Sequence, residues 1–134
     1  MALTVLDAGV VIGVFDGRDA HHAAAVNAVR DARARRDDLV LPASAYAEIL
    51  VQPMREGSEA VRSVDAGLDA LRIRVEPATR EIAARAASLR ARHGRKLRLS
   101  DALVIATAEL VRARRLLTSD AELRNLSPIV VLVG

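Results

Sequence analysis

The chain has no cysteine and no tryptophan, and it has a single phenylalanine, tyrosine and lysine. Without cysteine, neither a disulfide framework nor a thiolate metal site is possible. That agrees with a reducing compartment, and a cytoplasmic location is expected. With Phe15 and Tyr46 as the only aromatic residues, an aromatic platform for stacking bases is excluded. Any nucleic acid would be held by its phosphates and its shape. The apolar stretch from Ala8 to Phe15 falls well short of the ~20 residues that cross a bilayer. No basic stretch precedes it as in a signal peptide, so no membrane association is expected. Also missing are a P-loop, a GxGxxG fingerprint and a nucleophile elbow. His21 and His22 are adjacent and His93 stands beside Gly94. No pair has the i,i+4 spacing of metal ligands, and all three read as surface residues.

What is present is a chain of 134 residues, 51% hydrophobic. That size reads as one domain spanning residues 1–134, able to bury roughly two-thirds of its unfolded surface. The formal net charge is only +3, yet the isoelectric point is near 10.5. The two agree because every basic side chain but Lys96 is arginine, whose pKa exceeds ~12. Arginine grips phosphate bidentately. Either a phosphate-bearing partner or a plain preference for arginine accounts for the bias.

Short apolar runs alternate with helical periodicity. Strands are expected at Ala2–Leu6, Asp38–Leu41, Ile73–Val75, Arg115–Thr118 and Ile129–Val133. Helices are expected from just after Asp7 to Phe15, over Ala20–Arg36, from Pro42 to about Met54, and over Ser58–Leu71. Two more follow at Thr79–His93 and Leu99–Ala113, with a short helical turn at Asp120–Arg124 and a basic loop at Gly94–Arg98. The pattern predicts an α/β fold with a central, mostly parallel sheet of about four to five short strands and helices on both faces.

Most of the 17 acids have a local explanation. Asp65 and Asp69 read as solvated-face residues near Arg62 and Arg72, and Glu109 as a surface partner of Arg112. Asp16, Asp19, Asp31, Asp37 and Asp38 fall in turns or polar helix ends. Four acids resist this treatment. Asp7 interrupts the apolar run TVLDAGVVIGVF; Glu48 has no cation three or four residues away; Asp101 has only Arg98; Asp120 directly follows a strand. Each has a structural alternative. Asp7 could be a helix N-cap, Asp101 a first-turn acid, and Ser119 with Glu122 a capping box that leaves Asp120 merely favourable to the helix dipole. Taken together, the four would share the carboxyl edge of a parallel sheet, where ligands bind. Converging carboxylates repel unless a cation joins them, and oxygen-only ligands suit Mg²⁺ or Mn²⁺. With no nucleotide-binding motif, that chemistry points to metal-assisted attack of water on a phosphodiester. A phosphate-accepting receiver domain is excluded: Ala8 rather than a second acid follows Asp7, and Lys96 lies in a mid-chain loop.

The segments VLDAGVVI, LPASAYAEIL, LRLSDALVIATA and LLTSDAEL, in this order and spacing, resemble the PIN domain, and within it the VapC-type ribonuclease toxins. The resemblance spans essentially the whole chain. It implies a single PIN-like domain whose catalytic and metal-binding acids are Asp7, Glu48, Asp101 and Asp120, with Thr118 and Ser119 in support. It further implies a Mg²⁺- or Mn²⁺-dependent endoribonuclease acting on structured RNA such as tRNA or rRNA. Such an enzyme would be the toxin of a type II toxin–antitoxin pair, a homodimer with a cognate VapB-like antitoxin. Arg95, Lys96 and Arg98 are candidate contacts to RNA phosphates. One position departs from the pattern. The family usually has serine or threonine two residues after the first acid, and here that residue is Gly9. The departure leaves open an alternative: a catalytically weak or inactive PIN-like module that binds RNA or protein.

Overall fold

Five short strands, β1 (Leu3–Leu6), β2 (Asp38–Pro42), β3 (Ile73–Glu76), β4 (Arg115–Thr118) and β5 (Val130–Leu132), pair in the order β3-β2-β1-β4-β5. Every neighbouring pair is parallel, so the expected mostly parallel sheet is wholly parallel. The computed structural model describes all 134 residues. Six helices connect the strands: α1 (Ala8–Phe15), α2 (His22–Ala34), α3 (Ala43–Glu56), α4 (Ser58–Ala70), α5 (Arg80–His93) and α6 (Leu99–Leu110). Tight 3-10 turns occupy Gly94–Lys96 and Ala121–Leu123. No helix is long and apolar enough to cross a membrane.

The central strands are runs of apolar residues rather than alternations because both faces are covered. Val5, Leu6, Val40, Leu41 and Leu116 are fully buried. Thr4 is the polar exception in β1. Its hydroxyl donates to Asp37 at 2.9 Å, and Asp37 also pairs with Arg35 and Arg115. The chain runs from β1 outward to β2 and β3 on one side of β1 in the sheet, then returns to β4 and β5 on the other. The strand order therefore reverses at β1, which makes the gap between the carboxyl ends of β1 and β4 the topological switch point of the sheet.

Helix ends differ from the sequence reading for identifiable reasons. The Asp19 side chain accepts from the His21 amide at 2.8 Å, which holds a turn there and delays α2 to His22. α2, α4 and α6 all end earlier than expected, each just before an arginine in the left-handed region: Arg36 (φ 62°), Arg72 (φ 55°) and Arg112 (φ 58°). After α6, the Ala113 amide bonds the Ala108 carbonyl and the Arg112 amide bonds that of Glu109, a Schellman closure. The basic loop at 94–98 begins with the 3-10 turn. Its far end is held by the Arg90 Nε–H, which donates to the Leu97 carbonyl at 3.0 Å.

Candidate active site

Asp7 is the N-cap of α1, as its local sequence allows. Its Oδ1 accepts from the Ala8 amide at 2.8 Å. The second oxygen, Oδ2, accepts from the Thr118 hydroxyl at the end of β4, also at 2.8 Å. Capping is thus only half of what this buried carboxylate does; the other half is a bond across the switch point. Backbone reinforces the junction, since the Asp7 amide donates to the Leu117 carbonyl at 2.9 Å. Burial pushes the Asp7 carboxyl up from its ordinary range, the two hydrogen bonds oppose that, and the charges of Glu48 and Asp120 add to the rise.

Asp120 belongs to the same junction. Its amide donates to Thr118 Oγ1 at 3.1 Å, and its Oδ1 accepts from the Glu122 amide at 2.9 Å. Asp120, not Ser119, therefore caps the 3-10 turn. The capping box expected on Ser119 does not form, because a 3-10 turn brings the second amide after its cap into reach, and the residue two before Glu122 is Asp120. Glu48 lies on α3, which starts directly from the end of β2. Asp101 sits in the first turn of α6. Its carboxyl is pushed up to about 6, first by burial and then by the charges of Asp7, Asp120 and Glu48, against a weaker pull from Arg98.

The fold therefore brings the acids into one another's fields. None of the four makes an ion pair: the salt bridges use Asp16, Asp37, Glu59, Glu76 and Glu109 instead. The possible Arg98–Asp101 pair does not form. No three of the acids converge closely enough in this conformation to grip an ion between them. Asp7 and Asp120 are tethered as caps, whereas Glu48 and Asp101 carry no side-chain hydrogen bond. By charge and donor type the set fits a hard divalent cation: oxygen only, anionic, and without an ion pair to any cation of the protein.

Of the three basic candidates, Arg95, Lys96 and Arg98 are all exposed. Lys96 alone lines a cleft of about 570 Å³, together with His93, Leu97, Glu122 and Leu126. Elsewhere the structure reassigns partners. Glu109 binds Arg85 of α5 at 2.7 Å rather than Arg112. Asp65 accepts from the Tyr46 hydroxyl at 2.6 Å. His22, read as a surface residue, is half-buried with Nδ1 2.7 Å from the Gly13 carbonyl.

Two features escaped the sequence reading. Ser44, one turn before Glu48 on α3, has a buried hydroxyl with no partner. The four-residue spacing was a signal that both share a helix face. The other is what Gly9 faces: a Cβ built there would lie 2.7 Å from Ser119 Oγ, a contact between distant segments with no local trace.

Comparison with known proteins bears on the fold. No curated protein sequence matches the chain. Among solved structures, a toxin–antitoxin complex from Klebsiella pneumoniae contains a chain 25% identical, with a TM-score of 0.72 over 96% of this chain and 95% of that one. The Mycobacterium tuberculosis toxin VapC20, which cleaves the sarcin–ricin loop, is 19% identical with a TM-score of 0.66, covering 84% of this chain and 86% of its own. Rickettsia felis VapBC2, bound to a DNA fragment from its promoter, aligns at 15% identity and a TM-score of 0.72 over 97% and 96% of the two chains. The model of the PIN domain matches residues 4–127, nearly the whole length, and the chain belongs to the PIN domain family.

Proposed function

We propose that this chain is a divalent-metal-dependent endoribonuclease, the toxin of a type II toxin–antitoxin pair. The observation that carries the reading is the set of four acids, Asp7, Glu48, Asp101 and Asp120, close enough at the switch point to act on one another's charge and held in no ion pair. The toxins found among its structural neighbours support the biological role.

Asp7, Asp101 and Glu48 would hold the principal Mg²⁺ or Mn²⁺. When bound, the ion would make water more acidic and offset charge building on the phosphate. The protein's residues do the rest. Thr118 fixes the Asp7 carboxylate by donating to it, leaving lone pairs on both Asp7 oxygens. Asp120, anchored through Oδ1 to the Glu122 amide, would position the attacking water or complete the ligand set with its remaining acceptor capacity. Asp101, with its carboxyl near 6, is largely ionised at neutral pH. Lys96, in the cleft shared with Glu122, and the exposed Arg95 and Arg98 approach the RNA phosphates. The substrate is structured RNA such as tRNA or rRNA, the location cytoplasmic, and the partners a second copy of the chain and a small VapB-like antitoxin.

The test is cleavage of end-labelled total tRNA and rRNA with Mg²⁺, Mn²⁺ or EDTA, comparing wild type with Asp101→Asn purified identically. Discrete metal-dependent cuts that vanish in the variant are expected. Equal behaviour of the two proteins would reject the nuclease and move the inactive binding module ahead.

A further inference from the structure

Gly9 is the second residue of α1, two residues after the Asp7 cap. The space where its side chain would be is filled by Ser119 Oγ, 2.7 Å from an ideal Cβ. Real Cβ atoms do not tolerate that approach, so residue 9 can be a glycine under this hydroxyl, or carry a side chain that displaces it. Ser119 is flanked by two residues with assigned bonds: Thr118 donates to Asp7, and Asp120 accepts from Glu122. Its own hydroxyl has no side-chain or backbone partner among these bonds and is only half-buried. It thus lies next to Asp120 in the chain and against Gly9, two residues from Asp7, with a donor and two lone pairs free.

We propose that Ser119 is a positioning residue of the acidic site, and that residue 9 is glycine in order to admit its hydroxyl. This rests on the metal-nuclease reading above. Ser119 Oγ orients the hydration shell of the cation held by Asp7 and its fellow acids, as outer-shell hydrogen-bonding groups do at other metal sites. The space beside the first acid is filled by a hydroxyl from the carboxyl end of the neighbouring strand β4. On this reading Gly9 relocates the polar group and does not mark a lost activity.

Mn²⁺ binding to the intact protein, followed by electron paramagnetic resonance of the free ion, reads the effect without relying on catalysis. Ser119→Ala is expected to weaken Mn²⁺ binding about tenfold. Gly9→Ala should reproduce that loss by rotating the hydroxyl away, although alanine is the better helix former and should not lower the melting temperature. The double variant Gly9→Ser/Ser119→Ala, which moves the hydroxyl across the gap, should recover most of the affinity. Binding within twofold of wild type in either single variant overturns the proposal, as does a double variant no better than Ser119→Ala. Should the wild type bind no Mn²⁺ and cut no RNA, the nuclease reading falls too. Wild-type cleavage with an indifferent Ser119→Ala rejects Ser119 alone.

Discussion

The Thr118 hydroxyl donates to Asp7 Oδ2 at 2.8 Å, joining the ends of two adjacent strands that lie 111 residues apart in sequence. The bond is fully enclosed on the threonine side. It links a buried carboxylate to the segment that carries Asp120, so the two acids keep a fixed relation whatever Glu48 and Asp101 do. Thr118→Val keeps the shape and removes the donor, and it also leaves the Asp120 amide without its acceptor. A loss of about 1–3 kcal/mol in urea unfolding is expected, with weaker Mn²⁺ binding. Thr118→Ser should retain the metal affinity. A valine variant with wild-type Mn²⁺ affinity would show that Thr118 does not position Asp7.

Asp101 supplies a second prediction, with a definite sign. Its carboxyl sits near 6 in the folded chain against 3.8 for the ordinary group. The folded state therefore binds this proton more tightly than the unfolded one. The associated stability is fully present below 3.8 and is lost as pH rises through about 6. In metal-free protein at pH 7, Asp101→Asn should raise stability by about 1 kcal/mol, a figure reduced for the half-exposed position. The gain should shrink towards pH 4. A variant less stable than wild type at pH 7 without metal would contradict the repulsion on which the site is argued.

The same proton competes with the ion. Above pH 6 Asp101 is ionised and available as a ligand; below it, Mn²⁺ must displace a proton. Apparent Mn²⁺ affinity should fall by up to about tenfold per pH unit below that value. Titrations between pH 5 and 7.5 check this, and Asp101→Asn should flatten the dependence. A flat wild-type profile would remove Asp101 from the ligand set.

Far from the acids, Arg36, Arg72 and Arg112 all adopt left-handed backbone at the turns leading into β2, β3 and β4. A residue with a Cβ is disfavoured there, and glycine is not. Arg112→Gly should therefore raise stability by about 0.5–1 kcal/mol, and Arg72→Gly by a similar amount, with RNA cleavage unchanged. Denaturant midpoints decide it; a loss on substitution would mean that the arginine side chain contributes more than its backbone strain costs.

What could be read from residues alone was whatever local physics dictates. Apolar runs too short for helices became strands, and periodic segments became helices. The acids without local partners, Asp7, Glu48, Asp101 and Asp120, were legible by default, because pairing on a helix face follows from spacing. Only tertiary structure decided the rest. That Thr118 grips Asp7, that Asp120 rather than Ser119 caps its turn, and that Glu109 turns to Arg85 depend on strand order, on turn type and on helix packing. None of these has a signature within a few residues. The pairing of Gly9 with Ser119 is the clearest case. By sequence Gly9 is a missing hydroxyl; in the folded chain, close packing of two strand ends makes it the space that a hydroxyl from elsewhere occupies.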